Sequence, residues 1–308
     1  MRNYNIPFLR YTRIAFAFSA LIIFIGVIAL AATGLNLGID FAGGTILHLR
    51  LDEGYHMEEV REVLAPFGLE GVPLQRAGRD EAGEGREVII KTPELDEGAR
   101  RELIDAFKDR WPQMTTQDVL RIDNVGAVIG RELTREAFIA LLIAAALMIL
   151  YITMRFEFKF ALAAIGALFH DAFIIIGLFS LFQFEVNSPF IAAVLTIIGY
   201  SINDTIVIFD RIRENLKYRG SKTIEEVVES SINANLVRSV NTSLTTLAVL
   251  LSLFIAFSYF VGGMDLKVFA VALLIGIVSG TYSSIFIASP LWLMLHNREK
   301  RKKAAAHS

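Results

Sequence analysis

Six apolar stretches, each long enough to cross a bilayer as a helix, leave this chain few ways to fold: 14–34, 136–154, 160–182, 189–209, 239–260 and 267–295. A helix rises about 1.5 Å per residue, so about 20 apolar residues cross the hydrocarbon core, and backbone groups inside it must be bonded within the segment. Hydrophobic residues make up 54% of the chain, yet 20% are charged, which adds a water-facing portion to the spans. Charge is unevenly distributed: residues 36–130 hold 19 acidic and 11 basic side chains. An acidic segment of that kind argues against nucleic acid as a partner. With no cysteine, and five histidines without metal-ligand spacing, disulfides, thiolate sites and a structural metal are not expected.

A secretory signal competes for the first stretch, because Ala29-Leu30-Ala31 resembles a small-residue cleavage site. The run exceeds the roughly 7–15 residues of a signal's apolar region, so an uncleaved span is expected. Between the first two spans the pattern changes to short elements. Leu47, Leu49 and Leu51 alternate along a strand at 45–51, and 56–67 reads as an amphipathic helix ending at Pro66 and Gly68. Strands at 72–76 and 87–92 flank a charged turn at 78–85, a helix covers 93–111, and a strand closes at 116–124. The order βαββαβ is ferredoxin-like, and residues 35–130 suffice for one such domain. The expected class is therefore a polytopic α-helical membrane protein with six transmembrane helices and an α+β domain between helices one and two.

Lysine and arginine set orientation. The N-terminus (1–13), the 155–159 turn, the 210–238 connection and the basic tail (296–308) carry three, two, six and five basic residues, whereas 183–188 and 261–266 carry none. Both termini are accordingly expected in the cytoplasm, with the ferredoxin-like domain outside.

Asp204 lies inside the fourth apolar stretch, where an ionisable group is costly and calls for a functional reason. Counting back by helical turns reaches Tyr200 and Thr196, with Asn203 alongside, so a polar face is expected there. In the fifth span, Arg238, Asn241, Thr242, Thr245 and Ser252 fall near one face. Asp204 and Arg238 could meet as a proton-coupling pair, or form a static ion pair with Arg238 reaching to the interface. Asp204 could also serve only as hydrogen-bonding glue between helices. Asp171, preceded by His170, sits mid-span in the third helix and is a second candidate for proton relay, with Tyr200, Asn203 and Thr245. An aspartyl protease dyad is disfavoured by a depth difference of about 8 Å between the carboxylates. Gly276, Gly280 and Ser284 recur every four residues in the sixth span, as at a close helix contact. The glycines of G-I-D-F-A-G-G-T (38–45) precede a strand, and no phosphate-loop motif occurs, so a structural turn is expected and no cofactor is implied.

Three motifs carry a resemblance: G-I-D-F-A-G-G-T after the first span, G-Y-S-I-N-D-T-I-V-I-F-D-R-I-R-E-N (199–215) in the fourth, and R-S-V-N-T-S-L-T-T-L (238–247) opening the fifth. Together they resemble the SecF subunits of the bacterial SecD/SecF protein-export complex, in the resistance-nodulation-division transporter superfamily. The resemblance covers essentially the whole chain. It implies SecD as the partner half, association with the SecYEG channel and SecA ATPase, and a preprotein substrate. It also implies a location in the bacterial inner membrane and use of the proton-motive force rather than enzyme chemistry. The family's proton-transport aspartate and arginine fall on Asp204 and Arg238, and a family His-Asp pair falls on His170-Asp171. A proton-coupled exporter of small molecules or lipids, and an assembly factor that moves no protons, are the alternatives.

Overall fold

A computed structural model describes residues 5–51, 54–77, 85–259 and 264–306. Apart from Gly85, the charged turn expected at 78–85 lies outside the described residues. Among those described, six helices are long and apolar enough to cross a membrane. They are α1 (Thr12–Thr33), α4 (Ala127–Arg155), α5 (Phe158–Leu181), α6 (Ser188–Lys217), α7 (Ile224–Tyr259) and a last one in three parts. That last helix runs as α8 (Met264–Ser283), a π-helical turn (Ser284–Ala288) and α9 (Ser289–Ala306). Proline explains the interruption. Pro290 offers no N–H, and its ring crowds the carbonyl four residues earlier, so the widened turn just before it absorbs the break.

The chain divides into two compact units, one holding most of the membrane helices and the other the inserted domain. In the helical unit, α6 continues past the apolar stretch to Lys217, and α7 already begins at Ile224. The 210–238 connection is thus mostly helix, turning over 218–223. Gly220 supplies the left-handed residue in that turn (φ +56°), and Thr223 and Glu226 cap α7 reciprocally at 2.8 and 3.2 Å. Apolar packing concentrates at one end of the bundle. The Phe160 ring stacks on Trp292 at 4.7 Å and tilts against Phe209 at 4.9 Å, joining α5, α9 and α6. Glycines let helices approach closely at several places, two of which bear on the site. A Cβ on Gly26 of α1 would lie 2.7 Å from Cα of Gly177 in α5, and one on Gly276 of α8 would lie 2.3 Å from Ile197 of α6.

The inserted unit is a βαββαβ domain: β1 (Gly44–Arg50), α2 (Met57–Leu64), β2 (Leu74–Ala77), β3 (Glu87–Thr92), α3 (Glu97–Arg110) and β4 (Val119–Val125). Its sheet is antiparallel, in the order β2-β3-β1-β4. Alternation decides the faces: Leu47 pairs with Ile90 and Leu49 with Val88, and all four are buried with Val60, Leu64, Leu103 and Phe107. Each such side chain contributes roughly 1.5–3 kcal/mol on burial, enough in sum to hold two helices on one sheet face. On the other face His48 Nε2 meets Glu87 Oε2 at 2.9 Å.

Helix α3 starts at Glu97 rather than at Pro93 because Asp96 is its cap, accepting from Ala99 N at 2.8 Å. Removing that acceptor in Asp96→Ala is expected to cost about 1 kcal/mol. In hydrogen exchange this should read as roughly fivefold faster exchange across the first turn of α3, with the sheet unchanged.

Candidate functional site: a polar core in the helix bundle

An acidic side chain inside an apolar helix needs hydrogen-bond donors, and the two intramembrane aspartates meet that need differently. Asp171 of α5 is almost fully buried, and its carboxylate is surrounded by donors. Ser201 Oγ of α6 and Ser283 Oγ of α8 donate to Oδ2 at 2.6 and 2.8 Å, and Ser279 Oγ donates to Oδ1 at 2.6 Å. His170 Nδ1 lies 3.0 Å from Oδ1. Four partners match the roughly four lone-pair positions of a carboxylate.

From the hub a chain of contacts continues to α1. His170 Nε2 is 2.9 Å from Ser19 Oγ, Ser19 Oγ is 3.1 Å from the Tyr282 hydroxyl, and Tyr282 donates to the Ala15 carbonyl at 2.9 Å. Ser19, His170, Ser279 and Tyr282 border an apolar groove of about 640 Å³ between α1, α5 and α8. The order Asp171–His170–Ser19 is that of a serine-nucleophile triad, but acyl transfer also needs donors converging beside the nucleophile. The hydroxyl next to Ser19 is already committed to Ala15, and the arrangement suits positioning rather than acylation.

Asp204 stands in contrast. It is 5% exposed, and its Oδ2 is buried with no hydrogen-bond partner. Arg238 is exposed on α7 and is the cation whose field reaches Asp204, yet no ion pair joins the two among the described residues. The inward stripe of α6 is Ile197, Ser201, Asp204 and Ile208, all buried, and Thr205 beside it bonds the Ser284 hydroxyl at 2.8 Å. The residues expected with Asp204 go elsewhere. Asn203 is exposed, Tyr200 reaches Thr246 at 3.4 Å, and Thr245 bonds the carbonyls of Asn241 and Thr242 in its own helix. Sequence reasoning singled out both aspartates, but not Ser19, Ser201 or Thr205 as their neighbours.

Gly276 and Gly280 let α8 lie flush on α6: a Cβ on Gly280 would sit 3.0 Å from the Ser201 side chain. Gly276→Ala should therefore push Ile197 from its rotamer, at a cost of roughly 1–3 kcal/mol. Thermal unfolding of the purified protein in detergent checks this, and an unchanged midpoint would refute the close fit.

Six apolar helices with a hydroxyl-lined carboxylate core and an inserted βαββαβ domain define a multi-pass membrane protein. Residues 107–298 match the C-terminal family of the protein export membrane proteins SecD/SecF, and residues 28–54 match the SecD/SecF GG motif. The chain belongs to the SecF family of protein translocase subunits. It is 40% identical over 300 residues to the protein translocase subunit SecF of Sebaldella termitidis, covering 97% of this chain and 94% of that one. It is 38% identical over 296 residues to the protein translocase subunit SecDF of Bacillus subtilis, covering 94% of this chain but 38% of the relative. The crystal structure of SecDF from Thermus, described as a translocon-associated membrane protein, superposes with a TM-score of 0.83 at 38% identity. The likeness spans 96% of this chain and 39% of SecDF. A role in protein translocation follows from this kinship, and the fused relatives support SecD as partner.

Proposed function

We propose that the chain is one half of a SecD/SecF machine that uses the proton-motive force to help draw preproteins across the bacterial inner membrane. The observation that carries the reading is the buried, unpartnered Oδ2 of Asp204 within a membrane helix. A buried acceptor without a donor is costly and is retained where it binds something that comes and goes, and a proton is the smallest such ligand. Protonation removes the charge, weakens the attraction to Arg238, and lets helices repack around the bundle. Asp204 and Arg238 form the coupling pair in this scheme.

The partner half would cover polar groups that this bundle leaves uncovered. Thr196 and Asn203 on α6, with Arg238, Asn241 and Thr245 on α7, are exposed. Polar groups facing lipid are unfavourable, so a second helical half from SecD fits there. The excess of lysine and arginine in alternate loops supports cytoplasmic termini and an extracytoplasmic βαββαβ domain, which would hold or release emerging preprotein. The SecYEG channel and SecA would begin the transport that this complex completes, and the chain would act as a transport component rather than an enzyme.

Translocation into inverted vesicles containing the channel, SecD and this chain tests the scheme. ATP is withdrawn midway and a proton gradient imposed. Wild type should complete transport and Asp204→Asn should not. Equal completion by both would make Asp204 a packing group and the chain a scaffold.

A further inference from the structure

Asp171 and Asp204 sit in one bundle, yet one carboxylate is saturated and the other is not. We propose that Asp171 is not a proton carrier but the positioning residue of the coupling site: a carboxylate hub that holds α6, and with it Asp204, in register with α5 and α8. This deepens the proton-coupled reading above and rests on it.

The hub lies between two tightly fitted helix pairs. Gly26 and Gly177 bring α1 and α5 into backbone contact, while Gly276 and Gly280 seat α8 against the Ile197 and Ser201 side chains of α6. Asp171 belongs to the first pair, and three hydroxyls from the second pair converge on it: Ser201, Ser279 and Ser283. Ser201 lies three residues before Asp204 on the same buried stripe of α6, so the Ser201–Asp171 bond sets where Asp204 points. Next to it, Thr205 bonds Ser284 at the start of the π-helical turn, fixing the same stretch of α6 to the last span.

The remaining partners hold the hub's own side. His170 is sequence-adjacent to Asp171 and would be free to rotate away; the Ser19 hydroxyl at its Nε2 holds the ring, and Tyr282, bonded to the Ala15 carbonyl of the same helix, packs beside Ser19. Ser19 is thus a positioning residue too, tying α1 to the hub. All four acceptor positions of Asp171 are taken by partners within the protein, so a proton arriving there would have to displace or pass through one of the bonds that fix α6 and α8 to α5.

The two roles separate in the same vesicle assay. Asn retains the shape of Asp171 and can still accept from serine hydroxyls, while other hydroxyls rotate to meet its amide; it cannot titrate. Asp171→Asn is expected to retain gradient-driven completion within about threefold of wild type, whereas Asp171→Ala should lose it more than tenfold. If Asp171→Asn falls as far as Asp171→Ala while its melting temperature stays at the wild-type value, Asp171 carries protons and the proposal is overturned. Should Asp171→Ala not fold, Ser279→Ala/Ser283→Ala removes two donors and leaves every titratable group in place. That variant is expected to lower gradient-driven completion at least fivefold, and wild-type completion with it would equally overturn the hub. The Ser19→Ala loss should be recovered by Ser19→Thr, which restores the hydroxyl. Asp204→Asn, assayed in parallel, reports separately on the proton-coupled scheme: if that variant is active, the scheme fails regardless of Asp171.

Discussion

Asp204→Asn is expected to abolish gradient-driven completion of translocation, to the level seen without a gradient, while leaving ATP-driven initiation intact. The same substitution should make the protein no less stable, and the two effects together are the signature of a functional group. Asp204 Oδ2 is buried without a donor and Arg238 forms no ion pair with it, so the native fold bears an unfavourable polar group. An unmet buried acceptor costs roughly 1–3 kcal/mol, more when charged. Replacing a group that can ionise by a neutral amide of the same shape removes the charged part of that cost, and the thermal midpoint should hold or rise. A group present only as packing glue would behave in the opposite way, with the midpoint falling and transport surviving. Translocation and thermal unfolding, measured on the same vesicle preparation and the same purified protein, therefore decide between the two.

Why one aspartate could be read so directly, and its neighbours could not, follows from where each signal resides. A carboxylate in an apolar run is visible in sequence alone, which is why Asp204 and Asp171 stand out. Its partners are serines and threonines, common in membrane helices, and their direction depends on which neighbouring helix fits closely. Tyr200 and Ser201 lie within about one helical turn of Asp204 on either side, and helical periodicity alone permits either as its companion. Packing chooses Ser201, because Gly276 and Gly280 draw α8 onto that side of α6 and leave Asn203 exposed. Ser19 was less legible still: its meaning comes from His170, some 151 residues away in sequence. The inserted domain was easier to read, since strand alternation at Leu47, Leu49 and Leu51 and the apolar spacing of α2 act within a few residues. Its last helix begins late because Asp96, rather than Pro93, caps it. The glycine-containing segment after the first span was legible as a turn, but not what crowds around it.

That crowding makes Gly44→Ala the second large expected effect. Gly44 has φ +135°, a conformation that side-chain-bearing residues rarely adopt, and a Cβ there would lie 2.6 Å from the Thr92 carbonyl oxygen. The obstacle is backbone, at the end of β3, and cannot rotate away as a side chain could. Backbone strain of about 1–3 kcal/mol adds to an overpacking cost of about 1–3 kcal/mol, together a large part of a domain's usual 5–15 kcal/mol. The first pairs to open should be Thr45↔Thr92 and Gly44↔Val125, releasing the bonds from Thr45 Oγ1 to Asn124 at 2.6 Å and from Leu95 N to Thr45 at 3.0 Å. Neighbouring glycines would be disturbed with them. A Cβ on Gly43 already meets Ala127 Cα at 3.2 Å, and one on Gly130 meets the Phe41 carbonyl at 3.0 Å, so this segment and the root of α4 fit one another. Hydrogen exchange should rise at least thirtyfold at the paired ends of β1 and β3. Gly54 is the control, because its φ is also positive, at +80°, but nothing lies within 4 Å of its Cβ position. Gly54→Ala should incur the strain alone, about 1–3 kcal/mol. If both substitutions cost the same, backbone conformation rather than contact with β3 explains Gly44. If Gly44→Ala costs about twice as much or more, the glycine is there because only hydrogen fits against the sheet.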